Sequence, residues 1–238
     1  MKSTRKIAVI AGVIFIIATV VVFIADALTP GLTGTDYLTR FSANPNRVAA
    51  GALAYLVSAF ASGGIAIAMY PVMKRSNAGL ALGSVVFRAL EAAFYMVEVV
   101  CLLSLLTVGQ QFTSAGFADR SSLQSIGNLL VSVRNQAALV GVFAFCLGAF
   151  MYYYLFFQSR LIPRWLSGFG IFAIILMATA CGLSLFSGNR ITSYSPLAFP
   201  IFLQEMVLAV WLIVKGFNPA AVASGAAKTA TNELLSAA

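Results

Sequence analysis

Histidine is absent from this 238-residue chain and charge of either sign is scarce, with 9% charged residues against roughly 25% in soluble globular domains. Without imidazole there is no histidine-based triad and no histidine ligand for haem or zinc. The three cysteines, Cys101, Cys146 and Cys181, each stand inside an apolar stretch rather than in a CxxC spacing. They read as small buried hydrophobes, so no metal and no cofactor is expected.

What fills the chain instead is apolar: 61% of residues are hydrophobic and the mean hydropathy is +0.94. That excludes a water-soluble core and leaves no stretch for a separate soluble catalytic domain. The formal charge of +8 would suggest nucleic acid in a soluble protein. Here the basic residues flank apolar runs, where anionic lipid headgroups meet them. Nucleic acid is therefore not an expected partner, whereas the lipid bilayer is, together with a small-molecule or lipid ligand. The oligomeric state is not encoded in any visible pattern.

A bilayer core about 30 Å thick takes roughly 20 apolar residues of helix at about 1.5 Å each. Six runs are long enough, at residues 7–28, 48–70, 79–106, 137–157, 165–186 and 197–214. The expected fold is thus all-α, a polytopic membrane helix bundle in one domain over residues 1–219, followed by a flexible cytoplasmic tail at 220–238. Pro30, Pro45, Pro163 and Pro196 fall at the edges of these runs, where proline starts or ends a helix at little cost. The first run has a basic lead of Lys2, Arg5 and Lys6, but its apolar part is longer than the 7–15 residues of a signal peptide, so a retained helix is expected. Residues 29–47 and 107–128 read as solvated loops.

An even number of spans puts both ends on one side. Lys2, Arg5, Lys6, Lys74, Arg75, Arg160, Arg164, Lys215 and Lys228 share that side, against Arg40, Arg47, Arg120 and Arg190 opposite. Nine against four places the termini in the cytoplasm. Tyr152, Tyr153, Tyr154, Trp165 and Trp211 gather toward the same interface, as membrane aromatic belts do. Small residues at Gly79 and Gly83, and at Gly63, Gly64 and Ala68, suit close helix packing. A two-half repeat of the transporter kind is only weakly suggested, by similar turns near Tyr70 and Tyr154.

The third run carries the chemistry. Ser84, Arg88, Glu91, Tyr95 and Glu98 fall within an arc of roughly 80° when each residue turns the helix by about 100°. A charge at the bilayer centre costs at least about 2.5–3.5 kcal/mol, so such a stripe faces the protein interior. Counting helix rise from the cytoplasmic ends puts Arg88 at ~14 Å, Glu91 at ~18 Å, Glu98 at ~28 Å and, on the sixth run, Glu205 at ~15 Å, beside Gln204. Arg88, Glu91, Gln204 and Glu205, with Tyr95, form the candidate ligand or proton site. Glu98 and Arg134 share a second depth and form a candidate structural ion pair. One arginine facing two carboxylates leaves one carboxylate without a cation, and desolvation then favours its neutral acid. Proton-coupled carriers need that chemistry.

Three sequence runs carry a resemblance. They are Gly79 to Gly83 with Phe87 to Glu91, Ser159 to Ser167, and Pro200 to Phe217. Together they resemble the bacterial membrane-protein family catalogued as domain of unknown function 4386, over roughly residues 6–220. The resemblance implies a six-helix membrane protein in the bacterial inner membrane and brings no activity, substrate or cofactor with it. In that family an acidic residue and a tryptophan tend to follow the arginine matching Arg134, whereas this chain has Asn135 and Gln136. The departure shifts the expected partner of Arg134 to Glu98.

These observations favour a protein that binds or transports a small solute or amphiphile at a polar midplane site between the third and sixth runs. A non-catalytic helper subunit of a membrane complex is the alternative, with the polar stripe as helix glue. An intramembrane lipid-modifying enzyme is the third reading, and no nucleophile with a matched base supports it.

Overall fold

Each apolar run folds into a helix, because a backbone in lipid has no water to bond and must satisfy its polar groups internally. A computed structural model of the chain describes residues 2–225 and 227. The spans are α1 (Lys2–Leu28), α3 (Pro45–Met73), α4 (Ala78–Ser114), α5 (Phe117–Ser159), α6 (Arg164–Ser187) and α7 (Ser195–Val214). A short helix α2 (Tyr37–Ala43) lies between α1 and α3, and a 3₁₀ turn (Ile191–Tyr194) leads into α7. Pro45 opens α3, Pro163 caps α6 and Pro196 sits in the first turn of α7, all positions where the missing N–H costs nothing.

The spans pack as neighbours in chain order, and α7 returns to α1, so the six close a ring. The closure is tight. A side-chain carbon at Gly12 on α1 would stand 2.7 Å from the Ala209 carbonyl of α7. Arg5 fastens the same seam near the termini, donating to the carbonyls of Leu212 (3.0 Å) and Val214 (3.2 Å), which α7 leaves unpaired at its C-terminal end. The start of α1 and the end of α7 therefore lie at one face of the ring, the terminal face.

The two faces of the ring differ. Near the terminal face the interior is filled by Phe15, Met69, Met73, Tyr152, Tyr153 and Phe156, all fully buried. The outside of the ring is apolar and uncovered, with Val100 and Leu53 each 63% exposed and Phe186 91% exposed. Such a belt suits lipid and not water.

Several expectations change. The stretch 107–128 is not a loop: α4 and α5 run through it and meet at a turn around Ala115 and Gly116. Its polar residues face out while Val108 and Phe112 pack against the cluster that holds Leu38 and Phe41 of α2, so an amphipathic hairpin carries the composition of a loop. The 29–47 stretch likewise contains α2. Tyr152 and Tyr153 are core residues rather than interfacial ones, leaving Tyr154 and Trp165 on the outside. Gly79 touches no other helix, whereas Gly83 does, where a side-chain carbon would stand 2.7 Å from Met151 Sδ of α5, and Gly12, Gly109 and Gly148 approach neighbouring backbone. The start of the expected tail is helical over 219–225, with Ala221 and Val222 against the core. The rest of that tail, Lys228 included, lies outside the described residues apart from residue 227.

Candidate functional site

Ring closure leaves the half away from the termini unfilled. A cavity of about 500 Å³ runs between all six spans, from Asp26, Arg134 and Arg190 at the far end to Arg88, Glu91 and Glu205 at its floor. Arg88 is ten residues into α4 and Glu205 nine residues from the end of α7, so both lie about 15 Å in from the terminal ends by helix rise.

Arg88 and Glu91 are 2% and 3% exposed and form an ion pair at 2.9 Å. They sit three apart on α4, the spacing that brings helix side chains together. The pair is bound into α3 through Ser62. Its hydroxyl donates to Glu91 Oε1 at 2.7 Å, and its carbonyl accepts from Arg88 Nε and Nη2 at 3.3 and 3.2 Å. The guanidinium lies over the Phe145 ring of α5, 4.9 Å from its centroid, a contact that strengthens when desolvated. Gly148 makes room for it: a side-chain carbon there would meet Arg88 Cγ at 3.0 Å. Arg88 Nη1 and Glu91 Oε2 touch as charges yet make no hydrogen bond of good geometry.

Glu205 is held differently. It comes from α7, is half-buried, and among the described residues its hydrogen-bond partner is the Tyr152 hydroxyl, 3.4 Å from Oε1. Among the described residues no cation comes within 4 Å of it, so the ion pair of Arg88 is with Glu91 and not with Glu205. The adjacent Gln204 points away from the cavity. It accepts from the Tyr153 hydroxyl and donates to the Leu166 carbonyl at 3.2 Å, tying α7 to α5 and α6. Tyr95 lines the cavity one turn beyond Glu91, with its ring against Gly141 of α5.

Nearer the far end a second polar layer crosses the ring. Arg134 pairs with Glu98 at 3.5 Å, both about one-sixth exposed, and lies 5.7 Å from the Tyr55 ring centroid. The Tyr55 hydroxyl donates to Asp26 of α1. These residues also line the cavity, so the pair expected to be structural stands along its wall.

Sequence reasoning found Arg88, Glu91, Glu98, Arg134 and Glu205 because charge in an apolar run is conspicuous. It missed Ser62, whose neighbours Gly63 and Gly64 suggested packing only, and Tyr152, which sat in a tyrosine run that imitates an interfacial belt. It also missed Asp26, hidden at the edge of the first run. Nothing in one sequence states which helices are neighbours in the ring.

Six apolar helices closed around a charged interior define a multi-pass α-helical integral membrane protein. The family model described as a domain of unknown function (DUF4386) matches residues 10–216, and the chain belongs to that family. No match is found among the curated proteins or the solved structures.

The family's sequence runs acquire physical roles here. Arg160 takes a left-handed backbone (φ 56°) that ends α5, Leu161 and Ile162 are buried at 1%, and Pro163 starts α6. The Leu161 carbonyl accepts from the Asn218 N–H at 2.8 Å, which folds the end of α7 back onto this turn. Gln204 then links the Pro200 run to the Ser159 run through Leu166.

Proposed function

We propose that this protein binds and moves a small solute or amphiphile across the bacterial inner membrane, using the cavity between its helices with Arg88, Glu91 and Glu205 at its floor. The cavity carries this reading. Helix glue needs charges that satisfy one another in a closed interior, whereas here Glu205 stands without a cationic partner on a wall of about 500 Å³ of open space. That volume lies within the range of small-molecule sites, roughly 300–1,000 Å³. The walls set apolar and aromatic side chains beside charged ones, a mixture that both buries and orients a ligand. The lysine and arginine bias supports cytoplasmic termini, and on that reading the cavity faces outward.

A density map of the purified protein in lipid nanodiscs tests this directly. A bound molecule against Glu205, displaced when Ile201 on the cavity wall is replaced by Trp, is the expected result. A ring closed upon an empty interior, with α1 and α7 collapsed onto α4, contradicts it.

A further inference from the structure

Resting on the reading of the cavity as a ligand site, we infer that its ligand is a hydrophobic organic cation, received by Glu205 in exchange for a proton. Charges that share one depth decide the sign of the ligand. Arg88, Glu91 and Glu205 share the floor, and one arginine against two carboxylates leaves one negative charge uncompensated. The arginine's charge is already matched: Glu91 stands 2.9 Å from Nη1, the Ser62 carbonyl takes Nε and Nη2, and Phe145 covers its face. A ligand anion would displace Glu91 and add to the negative excess. A cation meets a free carboxylate.

The far end adds no bias against a cation. Asp26 and Glu98 stand opposite Arg134 and Arg190 there, two charges of each sign. Between the two levels the walls carry Tyr95 and Phe202, and aromatic faces next to a carboxylate recognise quaternary cations. Charged and titratable groups facing Glu205 are Arg88 and Glu91 from α4 and Tyr152 and Tyr153 from α5; Tyr95 of α4 stands further along the wall, α1 brings Asp26 at the far end, α3 brings Tyr55 there, and α6 brings uncharged Met177 to the cavity. Glu91 is paired with Arg88 at 2.9 Å, so Glu205 is the carboxylate left without a cation. A proton is the other cation able to neutralise Glu205, and the two occupants exclude each other. Binding the organic cation releases that proton to water, and the reverse exchange lets the cation leave.

The test compares two probes of one size and shape and opposite charge, tetraphenylphosphonium and tetraphenylborate, on the full chain in nanodiscs by equilibrium binding. Expected is binding of the phosphonium about tenfold or more tighter than the borate, the scale of one desolvated charge contact. Its affinity should fall as pH falls, and Glu205→Gln should lose both the preference and the pH dependence. Because Glu205→Gln could fold poorly, the two-probe comparison on the unmodified protein stands alone, and Glu205→Asp should retain the preference. Equal affinity for both probes, or tighter borate binding, overturns the cation inference while the cavity remains a ligand site. Binding of neither probe also overturns it, and the density map then decides separately whether the cavity holds any ligand.

Discussion

At the scale of residues, burial makes Arg88 both anchor and hazard. It stays charged in any protein environment, so its stability depends on Glu91 at 2.9 Å and on Ser62. Removing one partner of a buried pair leaves an uncompensated charge, typically at a cost of about 3–5 kcal/mol. Glu91→Leu should therefore lower the detergent-solubilised melting temperature sharply, and Arg88→Met together with Glu91→Leu should recover much of the loss. A double variant as unstable as the single one would contradict the assignment. Glu98 and Arg134 are closer to water, and their contact of 3.5 Å is looser. A double-mutant cycle on that pair should give coupling of about 1 kcal/mol, and additive effects would sink it. Their pairing was legible in the sequence because helix rise sets depth whatever the neighbours. The Arg88–Ser62 bonds were not legible, since they depend on which face α3 turns to α4.

Among the elements, glycine decides how closely two helices approach. A side-chain carbon at Gly109 on α4 would stand 2.6 Å from the Leu38 carbonyl of α2, and one at Gly12 would stand 2.7 Å from the Ala209 carbonyl of α7. Backbone cannot move aside as a flexible side chain does, so each Gly→Ala change should destabilise by about 1–3 kcal/mol. Gly182, with nothing within 4 Å, is the control and should tolerate alanine. Unfolding in detergent measures all three, and equal effects at Gly12 and Gly182 would deny that α1 and α7 close the ring. The spans themselves were readable from length and hydropathy, and proline marked several of their ends. The extensions of α4 and α5 across 107–128 were not, because a helix leaving the membrane exchanges its apolar surface for Ser, Gln and Asn and so resembles a loop. Where an apolar stripe remained, at Val108 and Phe112, it needed α2 to reveal what it packs on.

For the whole molecule, the open end of the ring must face a defined side of the membrane. The lysine and arginine bias predicts that a cysteine introduced at Thr35 reacts with an impermeant thiol reagent added outside intact cells, and that one at Ser76 does not. The reverse pattern would turn the cavity to the cytoplasm. If the charged floor is reached through a cavity rather than sealed inside packed helices, water must reach the cavity wall. With Cys101, Cys146 and Cys181, all buried and unpaired, replaced by alanine, Val142→Cys places a thiol on the α5 wall of the cavity, and Val100→Cys places one on the lipid face, 63% exposed. A small water-soluble thiol reagent should modify Val142→Cys quickly and Val100→Cys hardly at all. Equal, negligible modification of both would show that water does not reach the interior, and the account of a ligand cavity would fail.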